Sequence, residues 1–202
     1  KNGKEDGRWT VWYENGKKEE EAYYKDGRKD GKWSQWYKNG NKKEEGYYKD
    51  DRKEGKWNEW HNDGSIVEQN WKNDEKDGRW TVWYENGNKD EERNYNQDKK
   101  DGKFTNWYTS GQLKREEYYL DNKKDGKWSE WFENGNQKSE ENFIDDMSDG
   151  KNITWYESGQ KKSESNHMND LYDGRQAHWS EDGTMWYDKI WEPGKKENKP
   201  VK

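Results

Sequence analysis

The chain has 202 residues, of which only 24% are hydrophobic while 42% are charged, a balance that by itself resembles a disordered protein. Its apolar surface is concentrated in 16 Trp, 14 Tyr and 3 Phe, so aromatic rings supply nearly all the surface that folding can bury. The net charge of −6 divides closely between 45 acidic and 39 basic residues, which argues against nucleic acid or an anionic membrane as a general partner.

Two further classes of feature are excluded by the composition. The chain has no cysteine, which excludes disulfides and thiolate metal sites. No apolar run has the length of a transmembrane helix or a signal peptide, so membrane insertion is not expected.

The sequence repeats itself about every 24 residues. An acidic residue followed by glycine marks eight copies, which start near residues 6, 30, 54, 77, 101, 125, 149 and 173. A second dipeptide that ends in glycine follows within each copy, first at Asn15-Gly16, and two turns in a repeat predict two strands. We therefore expect one continuous array over residues 1–194, followed by a charged tail over 195–202.

The first repeat predicts the geometry of one hairpin. Asn15-Gly16 tolerates the positive φ angles of a type I′ turn, so 7–14 and 17–25 are the predicted strands, and 25–30 links this hairpin to the next. A two-residue loop then sets the cross-strand pairs, which are Trp9 with Ala22, Val11 with Glu20 and Tyr13 with Lys18.

The same register places aromatic rings on both faces of the sheet. Trp33 falls opposite Gly46, where its indole can cover the bare glycine, while Trp12 and Tyr23 lie on the other face from Trp9. A sheet coated on both sides fits a single layer better than a sandwich. The predicted fold is all-β: an elongated single-layer antiparallel meander of about 16 strands, built from eight hairpins.

Two aromatic rows run through the repeats. One position holds Trp in every copy and forms the Trp12 row: Trp12, Trp36, Trp60, Trp83, Trp107, Trp131, Trp155 and Trp179. A second aromatic row comprises Tyr24, Tyr48, Trp71, Tyr95, Tyr119, Phe143 and Trp191, with His167 in the remaining copy. The rings serve packing, or the Trp12 row stacks on sugar rings or peptide side chains.

The copies are not uniform. The position held by Trp9 in the first repeat carries Asn152 and Gln176 in the last two, so the array becomes irregular there, and Pro193 predicts its end. The opening residues 1–6 match an inter-repeat link, which predicts a further hairpin upstream. Repeat three is one residue short, which removes a bulge or shifts strand parity, with an irregularity expected near 65–69.

No catalytic, cofactor or metal site is predicted. His61, His167 and His178 replace repeat positions without ligand spacing, and the paired carboxylates face lysine-rich strands instead of an apolar pocket. The segment 26–30 resembles a calcium loop superficially, but Arg28 stands where an oxygen ligand is needed. The glycosylation tripeptide that starts at Asn152 is expected by chance in an Asn-rich chain.

The recurring pattern Asp-Gly-Lys-Trp-x-x-Trp-Tyr-Glu-Asn-Gly-Asn-Lys-Lys-Glu-Glu-Gly-Tyr-Tyr-Lys-Asp resembles the bacterial variant of the MORN repeat over residues 6–191. This resemblance implies β-hairpin arrays that serve as scaffolds, membrane-associated modules or, in one bacterial group, antitoxins. The acidic charge of this chain departs from lipid-binding relatives.

The leading hypothesis for function is a non-enzymatic structural scaffold, within a longer fibre-like array on a bacterial surface or outside the cell. The alternative is a binding module, either a cytoplasmic antitoxin or a carbohydrate or peptide binder. The expected partners are a protein, including self-association through sheet edges, or a glycan.

Overall fold

A computed structural model describes residues 4–193, and every regular element in that range is a β-strand. The predicted tail over 195–202 and the first three residues of the predicted opening link lie outside the described residues. The chain divides into two units, Lys1–Lys99 and Lys100–Lys202.

The first unit is an antiparallel meander in which consecutive strands pair. Its strands are β1 (Gly7–Trp12), β2 (Lys18–Lys25), β3 (Arg28–Trp36), β4 (Lys42–Lys49), β5 (Arg52–Trp60), β6 (Ile66–Lys72), β7 (Glu75–Lys76), β8 (Gly78–Trp83) and β9 (Lys89–Asn96), with β10 (Lys99–Lys100) at the boundary.

The second unit repeats this meander. Its strands are β11 (Gly102–Trp107), β12 (Leu113–Leu120), β13 (Lys123–Lys124), β14 (Gly126–Trp131), β15 (Gln137–Ile144), β16 (Met147–Ser148), β17 (Gly150–Trp155), β18 (Lys161–Met168), β19 (Leu171–Trp179) and β20 (Met185–Trp191). Across both units, four strands have only two residues: β7, β10, β13 and β16. Each comes directly before a longer strand, and counting each with that strand leaves two strands per repeat. The predicted all-β meander of tandem hairpins is confirmed.

The glycine-ended dipeptides close three-residue loops. The amide of Gly16 donates to the carbonyl of Tyr13 at 2.9 Å, and the Tyr13 amide donates to the carbonyl of Lys17 at 2.8 Å. Gly16 has φ +78°, whereas Asn15 is not in the positive-φ region. The predicted type I′ turn is therefore wrong here, because glycine alone takes the left-handed position of a bulged loop.

This loop changes one of the three predicted strand pairs. Trp9 pairs with Ala22 and Val11 with Glu20, as predicted. Tyr13 does not pair with Lys18, because the three-residue loop sets Tyr13 against Lys17 and Trp12 against Lys18.

Type I′ geometry occurs instead in the links between the predicted hairpins. Asp26 and Gly27 have φ +51° and +82°, and Lys25 pairs directly with Arg28 across the turn. The link is thus itself a tight hairpin, and Gly31, which the sequence placed at a turn, lies inside β3 with φ +126°. Each strand is consequently joined to the next by a hairpin loop.

Later copies of this turn use two Asp, Asn or Gln residues with positive φ, and their side chains explain the choice. The Asp51 carboxylate accepts from the Lys29 amide at 2.7 Å, while the Asp51 amide donates to the Lys29 carbonyl at 2.9 Å. The same pair of bonds ties Asp74 to Lys53. We call this series the turn ladder. It binds each turn to the preceding repeat through a backbone bond that Gly27 also makes, and through a side-chain oxygen that glycine lacks.

Repeat three lacks a bulge that the first repeat shows. Val11 pairs with Glu20 and Trp12 with Lys18, so Glu19 is left out of the pairing. In repeat three the β5–β6 pairing has no register shift. The short repeat removes a bulge, as one of the two predicted alternatives required, and the expected irregularity at 65–69 is wrong because this hairpin is the regular one.

The core of the first unit lies on one side of its sheet, which we call face A. Ala22, Trp33 and Trp57 are buried there. Trp33 is opposite Gly46, as predicted, but the indole over that glycine belongs to Trp57 of the next repeat. A Cβ on Gly46 would lie 2.1 Å from the Trp57 ring, so this close approach requires glycine.

Candidate functional site

The second aromatic row lies on face A and alternates with the indoles of the Trp9 position. In the first unit, the Tyr48 ring is 6.1 Å from Trp33 and 5.0 Å from Trp57, both edge to face. Trp80 continues the pattern at 5.5 Å from Tyr95. These distances are typical of aromatic packing, so the rings of face A hold neighbouring repeats together.

Face A of the second unit is built the same way. Tyr119 lies 4.9 Å from Phe104 and 5.2 Å from Trp128, and Trp128 lies 5.3 Å from Phe143. At the far end of the row, Trp191 stacks on a tyrosine ring, Tyr172, at 5.2 Å.

Lysines lie over many of these rings. The ammonium of Lys53 lies 3.9 Å from the Trp57 ring and 5.1 Å from the Trp71 ring, and Lys124 covers Trp128 and Phe143 in the second unit. These rings and lysines of face A therefore pack against one another.

The Trp12 row lies on the opposite side of each sheet, which we call face B. Every member is the last residue of its strand, one residue before a three-residue loop. Lysine side chains approach three of these rings: Lys18 lies 5.4 Å from Trp36, Lys42 lies 5.6 Å from Trp60, and Lys161 lies 5.4 Å from Trp179.

Four shallow clefts each include one Trp of this row. Trp60 and Trp12 line clefts of about 450 and 410 Å³ in the first unit, and Trp83 lines a third of about 270 Å³. Trp131 lines a cleft of about 410 Å³ in the second unit, with Tyr118 as a further lining residue. Four members of this row therefore lie beside open concave surface.

The middle of face B alternates small hydroxyl side chains with glutamates, a pattern that the sequence reasoning missed. Ser34, Thr81, Thr105 and Ser129 are buried, and Glu45 lies beside Ser34 across the strand pair. The missed signal was the small polar residue directly after the Trp9 position.

The glutamates of face B are held by cations. Glu164 lies 2.6 Å from the Lys161 ammonium and 3.1 Å from that of Lys151. The hydrogen bond from Lys161 keeps the pKa of Glu164 below its ordinary value, although partial burial opposes it. Glu21 is bonded by Lys18 with the same effect on its pKa. A carboxylate with a lowered pKa is a weak proton acceptor, which does not suit general base catalysis.

The irregular copies near the C-terminus keep their strands, because polar contacts replace the rings. The Asn152 amide donates to the Ser148 hydroxyl at 2.8 Å and lies 3.1 Å from Nδ1 of His167. Burial lowers the pKa of His167.

The three histidines are not brought together. His61 contacts Glu59 at 3.3 Å, His178 stacks on Trp186 at 5.1 Å, and His167 belongs to the polar group just described. Over residues 4–193, no cluster of three His, Cys, Asp or Glu side chains is placed to hold a metal ion. The same range contains no helix long and apolar enough to span a membrane.

Comparison with curated proteins gives no significant match. The family model of the MORN repeat variant matches six tandem segments, 5–26, 29–50, 76–97, 100–121, 124–145 and 148–169, which together cover more than half of the chain. The short third repeat and the last repeat are not among them. The chain therefore belongs to the MORN repeat variant family, whose tandem hairpins it carries in both units.

Proposed function

We propose that this protein is a non-enzymatic scaffold that binds a macromolecular partner along face B, with the Trp12 row as the contact surface. The observation that carries the proposal is the difference between the two faces. Tyr48, Tyr95 and Tyr119 of the second row lie against neighbouring rings, whereas Trp12, Trp60, Trp83 and Trp131 of the Trp12 row each line an open cleft.

The repetition of the clefts favours an extended partner. Equivalent positions in adjacent repeats are two strands apart, about 9.6 Å. Clefts of 270 to 450 Å³ suit a side chain or a sugar ring more than a large cofactor. Each pairs a flat indole with charged neighbours, as in the cleft of Trp83 with Lys89 and Glu92. A polypeptide or glycan chain can therefore engage several clefts in series, and the separate contacts reinforce each other.

Face B can serve as the contact surface both in a surface or extracellular array and in a cytoplasmic antitoxin. In a surface or extracellular array, face B would be the displayed side. In a cytoplasmic antitoxin, it would cover one protein partner, with the differences between repeats providing specificity.

The test compares two tryptophans of similar exposure on opposite faces. Trp12 is 56% exposed on face B and Trp9 is 51% exposed on face A of the same strand. We expect the Trp12→Ala/Trp60→Ala/Trp131→Ala variant to lose the partner that the unmodified chain captures stoichiometrically from the native organism or on a printed glycan array. The Trp9→Ala variant should retain it.

Circular dichroism spectra of both variants provide the folding control. Equal capture of the partner by the two variants would overturn the proposal. So would the absence of saturable binding both from the native organism and on the glycan array.

A further inference from the structure

After β20, the last strand of the second unit, a proline stands at the position where the type I′ turns of the other repeats begin. Seven type I′ turns join the repeats, and their first residues have φ between +47° and +51°. Pro193 occupies the next equivalent position, two residues after Trp191. Proline is fixed near φ −65°, so this turn cannot form after β20. The β20 strand pairs with β19, and no other strand among the described residues of this unit covers its second side.

The exposed side chains of β20 are unusual for a free edge. Ile190 is 79% exposed, Trp186 is 65% exposed and Met185 is 44% exposed. Natural sheet edges carry charge or proline to prevent pairing with other strands. Here proline follows the strand, while the strand itself presents apolar groups beside its unpaired backbone.

The residues equivalent to Ile190 and Trp186 on inner strands are tyrosine, asparagine or charged residues, whereas those equivalent to Met185 include the apolar Ile66 and Leu113. Residues aligned with Ile190 are Tyr23, Tyr47, Asn70, Asn94, Tyr118, Asn142 and Asn166. Residues aligned with Trp186 are Glu19, Lys43, Asp90, Lys114, Lys138 and Lys162. The isoleucine and the tryptophan occur on the strand that has no second neighbour among the described residues of this unit, so packing within this hairpin does not explain them.

Inner repeats show which strand fits against this edge. There, a strand with a glycine, a basic residue and two tryptophans three positions apart pairs with the equivalent of β20. Trp33 of such a strand pairs with Ala22, and Trp83 of another pairs with Ile66, which is the position of Met185. Ile66 shows that an apolar residue at this position accepts the indole.

Exposure shows how much such a neighbour buries. Trp33, with β2 beside it, is 7% exposed, whereas Trp9 on β1, without a described strand on that side, is 51% exposed. Lys189 lies 3.4 Å from the Trp191 ring, so that ring of face A is already covered. The exposed apolar surface of the edge is at Met185 and Ile190 on face B and at Trp186, which stacks on His178.

We propose that the free edge of β20 is a strand-accepting site for a separate polypeptide that carries the pattern glycine, basic residue, tryptophan, two residues, tryptophan. The partner strand adds to the sheet through backbone hydrogen bonds. Its second tryptophan packs against Met185, and its basic residue lies beside Ile190. The site is distinct from the clefts of the Trp12 row and does not depend on them.

The probe is a fluorescent synthetic peptide with the sequence of residues 28–38, which contains β3. We expect saturable binding to the full chain, measured by fluorescence anisotropy. A peptide with Trp33→Ser and Trp36→Ser should not bind. On the protein, Ile190→Lys should weaken binding at least about tenfold, because it places a charge in the contact.

Ile144→Lys is the matched control, because Ile144 is also an exposed isoleucine, at 53%, but on an inner strand. It should leave affinity unchanged. Ile190→Thr, a milder change that favours strands, serves as a second variant in case Ile190→Lys disturbs the hairpin. Equal affinity of the Ile190 and Ile144 variants, or no binding of the unmodified peptide, would overturn the proposal.

The pattern also occurs in this chain, in Gly7, Arg8, Trp9 and Trp12 of β1, so sedimentation velocity is needed to distinguish a separate partner from a second copy. The chain alone should sediment as a monomer across concentrations. A dimer that Ile190→Lys dissociates would assign the edge to self-association and overturn the proposal of a separate partner.

Discussion

The third and seventh repeats carry different side chains at the same positions on face A, aromatic in the third and polar in the seventh. In repeat three, the Lys53 ammonium lies over two rings, 3.9 Å from Trp57 and 5.1 Å from Trp71. In repeat seven, the equivalent positions hold a polar group. There the amide of Asn152 contacts a hydroxyl and an imidazole, those of Ser148 and His167.

The backbone of both repeats nevertheless makes the same hydrogen bond, from a backbone amide to an aspartate carboxylate of the next turn. The Lys53 amide donates to the Asp74 carboxylate at 2.7 Å, and the Ser148 amide donates to the Asp170 carboxylate at 2.7 Å. The comparison teaches that turns and the turn ladder define the repeat, while the group on face A can be aromatic or polar if its members satisfy one another.

The largest expected effect is the loss of the aromatic group in repeat three. Trp57 is 1% exposed, so Trp57→Ala should lower the free energy of unfolding by about 3 to 5 kcal/mol. Urea denaturation followed by circular dichroism measures this loss. Trp12→Ala, at a 56% exposed position, is the control and should cost much less. Equal losses would show that face A does not dominate stability.

A smaller loss is expected in repeat seven. Asn152→Ala removes the partner of Ser148 and His167 and the oxygen that accepts from the Asn142 amide. Leaving partly buried polar groups unpaired should cost about 1 to 3 kcal/mol in the same urea experiment.

A variant that restores the aromatic group sharpens this comparison. Asn152→Trp combined with Ser148→Lys and His167→Tyr should regain the stability that Asn152→Ala loses. If the restored variant is no more stable than Asn152→Ala, and if Asn152→Ala does not lower the free energy of unfolding, the two repeats are not equivalent.

The smallest effect is a pH dependence confined to repeat seven. Burial lowers the pKa of His167 from 6.5, so folding favours the neutral imidazole. Its stabilising contribution is present above pH 6.5 and is lost as pH falls through the lowered value. Melting temperatures at pH 7.5 and 5.5 should therefore differ more for the unmodified protein than for His167→Tyr. The same difference in both proteins would contradict this assignment.

The repeat period, the strands and most of the register follow from the sequence alone, because aromatic and glycine positions recur at fixed intervals. The turn types were harder to predict. Asn15-Gly16 suggested type I′ geometry, whereas the structure places this geometry at pairs such as Asp50 and Asp51. Asx residues adopt positive φ without an obvious sequence mark, and their role in the turn ladder depends on a neighbour one repeat away.

Contacts between repeats were also beyond the sequence. The alignment showed that Trp33 is opposite Gly46, but not that Trp57 from the following repeat covers that glycine. Register fixes which residues are paired across two strands, while the direction in which a large ring leans depends on space in three dimensions. For the same reason, Asn152 looked like a defect in the sequence, although it belongs to a polar group.

The bulge opposite Trp12 has a consequence for how such a chain can change its length. Glu19 stands outside the strand pairing, and repeat three lacks the equivalent residue while its strands remain paired in register. In repeats of both 23 and 24 residues, the same repeat positions therefore lie on face A and the same positions lie on face B of the sheet. The loop side of the sheet tolerates the gain or loss of a single residue, whereas the turn-ladder side, where the second turn residue bonds the preceding repeat, does not.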